Sequence, residues 1–332
     1  MKKLVAILLA ALMVCSAGSA LAVKVGFSQV GQESDWRTAN TDDMKAAIEA
    51  EGWELIYDDA QQKQENQVKA LRNFISQGVD AILFTGVVTT GWDEVLKEVN
   101  EAEIPLILMD RMPDCIDSID YVGAFGGDFV EEGRRMGYWT GNYIAKVGRG
   151  EEEVNVVILE GTTGSAAATD RTAGIEEALA NYPNLKVIAK QSGNFSRAEG
   201  LPVMESWLKS LDKIDVVLAE NDDMALGAID AIKAAGKVPG KDIIIVGCDS
   251  VKAAFDSIVA GDMNATIECN PLYSSAVIPM IKQVLAGDTS SFSRDIIHPD
   301  EGCFDTEGGI AYTADGSQVS VKAADVIAER KY

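Results

Sequence analysis

The sequence predicts an α/β fold of two similar lobes, each a parallel sheet covered by helices. Three observations predict it. Apolar runs of strand length alternate with helix-period segments almost to the end of the chain, the signature of parallel strands linked by crossover helices. The alternation also repeats: "VDAILF", a helix and "IPLILMD", ending at Asp110, are matched by "IDVVLA", a helix and "DIIIVGCD", ending at Asp249. Finally, nearly every predicted strand ends in planar hydrogen-bonding groups, and ligands of open parallel sheets bind beyond those ends.

Taken in order, strands are expected at 23–28, 53–57, 80–84, 104–109, 119–122, 154–159, 185–190, 214–219, 243–248 and 264–268. In "NQVKALRNFISQG", Val68, Leu71 and Ile75 share a helical face and Gly78 stops the helix. Trp92, Leu96 and Val99 do the same in the next helix. The first lobe is read as 23–124 with a helix at 270–290 returning to it, so that it takes in 270–296. Gly123, Gly126 and Gly127 loosen the chain where the second lobe, 125–268, begins, and Gly123 is expected to be a hinge residue. The tail, 297–332, is rich in Gly, Asp and Ser and has no assigned place.

The amino terminus reads as an export signal. Lys2 and Lys3 precede an apolar run, Leu4–Val14, too short to span a bilayer, and Ala20-Leu21-Ala22 forms a cleavage site. Cleavage after Ala22 and a periplasmic location are expected. Cys15 as a lipidated terminus is the rival, disfavoured by the bulky Val14 before it. A net charge of −23 repels phosphate backbones and anionic lipid, so nucleic acid is excluded as a partner. Cys115, Cys248, Cys269 and Cys303 remain after cleavage; one or two disulfides are possible in an oxidising compartment, with pairing open. Cys248 lies in an apolar run and reads as a core residue.

The strand ends carry the chemistry. The first strand leads into "VKVGFSQVGQESDWR", with Ser28, Trp36 and Arg37. Later ends supply Asp110-Arg111, Asp170-Arg171, Phe195, Asn221 and Asp249. Each has a plainer reading. Asp170 and Asp222 suit helix N-caps, Asp110-Arg111 an exposed turn, and Trp36 and Phe195 the core. As a set they suit a polyol: carboxylates, Asn and Arg each engage two hydroxyls, and aromatic rings cover the C–H face of a sugar. Paired arginines leave an anionic sugar open as the alternative.

No G-x-G-x-x-G follows a strand, "EGTTGSAAATD" lacks the P-loop lysine, and the lone histidine, His298, has no nucleophilic partner nearby in sequence. No cofactor and no resident metal are expected. The acidic "PDEGCFDTEGG" is a solvated loop or, alternatively, a cation ligand set. Asp110 and Asp249 could flank a sugar as a glycosidase pair, but arginine pairing is expected to keep both ionised.

"LMDR", "TDRTAGIEEAL", "NFSR", "NDDMALGAIDAIKAAG", "VGCDS" and "NATIECNP" resemble, in order, blocks of the periplasmic sugar-binding proteins of the ribose and galactose type, which serve ATP-driven importers. "GFSQVGQESDWRTA" and "DAQQKQENQVKALRNFISQGVDAI" are similar to its galactofuranose-binding members. The resemblance implies two lobes joined by a three-segment hinge that closes on a monosaccharide. It implies that Ser28, Trp36, Arg37, Asp110 and Arg111 contact the sugar from one lobe, and Arg171, Phe195, Asn221 and Asp249 from the other. It places a hinge crossing at "ATIECNP", where Glu268 or Cys269 stands in place of the ribose binders' Gln. A monomer, docking on a membrane permease of an ABC importer or on a chemoreceptor or sensor kinase, is implied as well. The lactose-type repressors share the fold, but an export signal and strong negative charge exclude DNA binding.

Overall fold

Residues 22–288 and 292–332 are described in a computed structural model. The expected export signal lies outside the described residues. No described helix is long and apolar enough to cross a membrane.

The first sheet contains β1 (Lys24–Gln29), β2 (Glu54–Asp59), β3 (Ala81–Phe84), β4 (Leu106–Met109) and β5 (Gly123–Phe125), all parallel, in the order β2-β1-β3-β4-β5. The second contains β6 (Val154–Glu160), β7 (Leu185–Ser192), β8 (Val216–Ala219), β9 (Ile244–Asp249) and β10 (Ala265–Glu268), in the order β7-β6-β8-β9-β10. The two orders are the same doubly wound pattern, which explains the repeat in the sequence. Each has its switch point beside its first strand, where a crevice opens at the carboxyl ends.

The central strands are continuous apolar runs because both faces are covered. On the first lobe the helices are α1 (Asp35–Ala50), α2 (Gln64–Gln77) and α3 (Asp93–Glu101). Ser34 caps α1 by accepting from the Arg37 amide. Gly78 ends α2 at φ 59°, as the sequence suggests. Gln67, Ala70, Leu71 and Phe74 are the buried residues of α2, so the buried stripe is rotated from the expected Val68–Ile75 face. On the second lobe lie α4 (Phe129–Lys146), α5 (Ala166–Leu179), α6 (Arg197–Ser210), α7 (Asp222–Ala234) and α8 (Lys252–Ala260).

The fifth strand departs from expectation. The run at 119–122 is irregular, its Val122 amide donating to the Leu106 carbonyl at 2.8 Å, and the strand itself begins at Gly123. Gly123 is therefore not a hinge residue. A Cβ there would stand 2.4 Å from Met280 Cε, so the glycine lets a helix approach the strand. That helix, α9 (Ser274–Leu285), returns to the first lobe, where Ser274 donates to Asp43 at 2.7 Å. The tail then finds its place. β11 (Ile296–Ile297) adds to β5, β12 (Cys303–Asp305) pairs antiparallel with β10, and β13 (Val321–Lys322) follows β12. A last short helix, α10 (Ala323–Val326), leads to Arg330, which pairs with Glu268.

The chain thus passes between the sheets three times, at 126–128, 269–273 and 298–302. The lobes also touch across the cleft. The Asp35 amide donates to Asp223 Oδ2 at 2.8 Å, and the Thr89 amide donates to the Gly164 carbonyl at 3.0 Å. This is a closed conformation.

The possible disulfides do not form: among the described residues all four cysteines are free and buried. Cys248 and Cys303 both face Ile267 from opposite sides of β10. Two strand spacings separate them, about 9–10 Å, beyond the reach of an S–S bridge.

Candidate functional site

Between the sheets, at the carboxyl ends of both sets of strands, lies a narrow cavity. From the first lobe it is lined by Glu33, Ser34, Trp36, Arg37, Asp110 and Arg111. Ala167, Arg171, Phe195, Asn221 and Asp249 face them from the second, and Cys269 comes from a crossing.

The first-lobe wall is an ion-pair network on a buried frame. Arg37 donates to Asp110 Oδ2 at 2.6 Å, to Glu33 Oε1 at 3.1 Å and to Gln29 Oε1 at 3.2 Å. Gln29 is held in turn by Asn40 and Thr41. Burial works against the Arg37 charge, but Asp110 and Glu33 outweigh it and raise its pKa further. Burial likewise opposes ionisation of Asp110; Arg37 and Arg111 reverse that and hold it below the usual carboxylate range. Arg111 is lowered to about 10, by burial first and then by Arg37, and stays charged at neutral pH.

Three buried polar atoms of this wall, Glu33 Oε2 and Arg111 Nε and Nη1, have no hydrogen-bond partner among the described residues. Leaving such atoms unpaired costs about 1–3 kcal/mol each, more when charged. A ligand bearing both donors and acceptors supplies what they lack.

The second-lobe wall is built differently. Arg171 donates to Glu132 Oε2 at 2.7 Å and to the Glu220 carbonyl at 2.6 Å, and its Nη2 lies 3.7 Å from Asp249. With Arg171 committed elsewhere, burial pushes the Asp249 carboxyl well above its ordinary value, against the pull of Arg171. The expectation that arginine pairing keeps both aspartates ionised therefore holds for Asp110 and fails for Asp249. Phe195 stacks its face towards Arg111, 4.9 Å from the guanidinium carbon. Its ring rests on Gly161, where an added Cβ would lie 1.9 Å from the ring tip. Trp36 donates from Nε1 to the Cys269 carbonyl at 2.7 Å, tying the first lobe to a crossing.

Asp110 (φ 58°), Phe195 (φ 58°) and Asp249 (φ 116°) all adopt backbone that side chains rarely take. Asp110 and Asp249 are the matched ends of the sequence repeat, at β4 and β9. Strain of about 1–3 kcal/mol at such positions is held by the surrounding structure.

Two expected site residues lie off the cavity. Ser28 sits beneath it, where its hydroxyl accepts from Gln67 at 3.3 Å; Gln67 also holds the Thr85 carbonyl and the Val87 amide, fixing the ends of β1 and β3. Asp170 faces a separate groove with Asp128 and His298. Ser165 caps α5, so Asp170 is inside the helix rather than at its start, and one residue of helical rotation turns it away from the Arg171 direction. Asn221 lines the cavity but also caps α7, accepting from Met224 and donating to the Phe195 carbonyl. Glu268 is outside the cavity, paired with Arg330, so the crossing residue that lines it is Cys269.

Glu132 is not among the expected site residues, and Glu33 is expected only as one of the polar groups of the stretch past the first strand. Glu33 stands four residues before Arg37, a spacing that pairs charges on a helix and was legible in the sequence. Glu132 shares the buried face of α4 with Phe129 and Met136, and a carboxylate in an apolar stripe is itself a signal.

The Asp223 latch carries a pH dependence. Burial pushes its carboxyl up to about 7; the Asp35 amide and Arg197 oppose this, while the Asp35 and Glu33 carboxylates add to it. A pKa raised on closing means the closed form holds the proton more tightly. Closure is therefore helped as pH falls below about 7 and opposed as it rises through that value. Asp223→Asn keeps the acceptor without the charge. It is expected to raise ligand affinity at pH 8 by roughly tenfold and to flatten the profile between about pH 4 and 7. Titrations across that range test this, and a weakened variant contradicts it.

A larger groove, about 710 Å³, lies at the edge of the first lobe against Val284 and Phe292. It is mostly apolar, and its charged members, Glu103 and Asp120, are exposed surface residues. Convergent buried charge favours the cavity between the lobes over this groove.

Comparison with known proteins agrees with that fold. The family model described as "Periplasmic binding protein domain" matches residues 25–289. The galactofuranose-binding protein YtfQ of Escherichia coli is 47% identical over 250 residues, 74% of this chain and 77% of the relative. A Mycobacterium smegmatis protein solved with β-D-fucofuranose is 46% identical, with a TM-score of 0.80 over 86% of this chain and 91% of its own. The binding component of the arabinose ABC transporter of a Shewanella species, bound to L-arabinofuranose, is 40% identical, with a TM-score of 0.81 over 93% and 96%. With matched doubly wound lobes, three crossings and a family model spanning most of its length, the chain belongs to the periplasmic binding protein family.

Proposed function

We propose that this protein captures a single monosaccharide in its furanose form between its two lobes and delivers it to an ABC importer. The observation that carries this reading is the closed cavity between the lobes, where Arg111 Nε and Nη1 and Glu33 Oε2, side by side on the first-lobe wall, are unsatisfied donors and an unsatisfied acceptor. Neighbouring hydroxyls of one sugar answer both, while Phe195 and Trp36 supply apolar edges. The similar proteins solved with fucofuranose and arabinofuranose support the ring form. An acidic sugar fits less well, because Glu33, Asp110 and Asp249 share the site with the arginines.

Sugar enters on one wall, the lobes swing on the three crossings, and Asp35–Asp223 and Thr89–Gly164 latch them. The closed pair of surfaces is then what a membrane permease reads. A chemoreceptor reads the same closed surfaces, and a monomer suffices for either. The export signal read at the amino terminus supports a periplasmic location, with cleavage after Ala22.

Binding rather than turnover is proposed, although one ionised and one raised carboxyl also describes a glycosidase pair. The test is a thermal-shift screen of protein stripped of ligand by unfolding and refolding, run against aldoses, ketoses, polyols and sugar acids. Galactose or arabinose is expected to raise the melting temperature, and aryl glycosides are expected to release no aglycone. A rise with sugar acids alone, or steady aglycone release, contradicts the reading.

A further inference from the structure

We propose that Glu132, Cys269 and Glu301 form a site for a divalent cation of the zinc class, set where the three crossings converge. Each crossing contributes. Glu132 follows the first, Cys269 lies in the second and Glu301 in the third. Their ligand atoms all lie within 4.8 Å of one another. Tetrahedral zinc with one sulfur and two oxygens needs separations of about 3.3–3.8 Å, so the cluster has to contract by at most about 1.5 Å.

Glu132 gives the independent indication. It is fully buried, and one oxygen is committed to Arg171. The other, Oε1, has no hydrogen-bond partner among the described residues. It abuts the first crossing, where a Cβ on Gly127 would lie 2.1 Å from it. A buried carboxylate oxygen beside a partly buried second carboxyl and a buried thiol is costly unless a cation or a proton compensates.

The donor set selects the ion. A thiolate with two carboxylates suits zinc, with water as a fourth ligand; calcium and magnesium require more oxygens. Cys269 gives up its thiol proton to solvent as its sulfur coordinates. Because Cys269 also lines the ligand cavity and its carbonyl accepts from Trp36, a bound ion ties the hinge to the cavity wall. This inference does not depend on which ligand the cavity takes, and it departs from the metal-free expectation of the sequence.

Cobalt(II) titration of the full chain, with a phosphine reductant present, tests it. One equivalent is expected to bind with a thiolate-to-cobalt absorption band, displaced by zinc. Cys269→Ser should abolish the band. Glu301→Gln keeps the thiol and should retain the band with affinity lowered at least about tenfold. Absence of a stoichiometric band in the wild type overturns the proposal, as does unchanged affinity in Glu301→Gln. A band that survives Cys269→Ser moves the ion elsewhere, for instance to the Asp93–Asp114–Cys115 cluster, whose carboxylates are exposed, and equally overturns it.

Discussion

Asp110→Ala is expected to weaken ligand binding by at least about 100-fold, with a loss of fold stability alongside. Asp110 is 4% exposed and carries the shortest bond of Arg37, at 2.6 Å. Its removal leaves the Arg37 guanidinium, 2% exposed, with Glu33 and Gln29 alone. Breaking one side of a buried ion pair costs about 3–5 kcal/mol, and about 3 kcal/mol is already more than 100-fold in affinity. Asp110→Asn separates the two effects. Asn tolerates the φ of 58° and preserves shape, so this variant should keep its melting temperature closer to wild type and still lose affinity. Titration of both variants with the sugar found by screening checks this. Unchanged affinity in either places the ligand elsewhere.

Arg171→Ala is the second large effect. Arg171 is 3% exposed and joins α5 to Glu132 on α4 and to the Glu220 carbonyl at the end of β8. Without it Glu132 is a buried carboxylate with no cationic partner, and Asp249 loses its nearest positive charge. A stability loss of about 3–5 kcal/mol is expected, roughly 6–12 °C in melting temperature for a chain of this size. Arg171→Lys should recover only part of it, because an ammonium cannot span three planar bonding directions at once. A melting temperature unchanged in Arg171→Ala contradicts this role.

The sequence reading and the structure agree where periodicity and repetition speak. Apolar runs located the central strands to within a residue or two, and the repeated Asp-terminated strands anticipated that Asp110 and Asp249 occupy matched positions. The misreadings have physical causes. The fifth strand was missed because Gly123 has no side chain to mark it, yet its bareness is what admits Met280. Asp170 looked like a helix start because it follows a Thr- and Ala-rich stretch, but Ser165 captures the cap five residues earlier. The tail lacked any pattern because β11, β12 and β13 are two or three residues long and are defined by the sheets they join. Glu132 escaped notice because burial of a carboxylate depends on a partner far away in sequence, Arg171.

The most direct test of a furanose held between the lobes is the carbon NMR spectrum of galactose labelled at its anomeric carbon, bound to the refolded protein. The expected result is one bound anomeric resonance in the furanose range, lost in Asp110→Asn. A bound pyranose resonance, or no bound resonance at any protein excess for galactose and then arabinose, would contradict it.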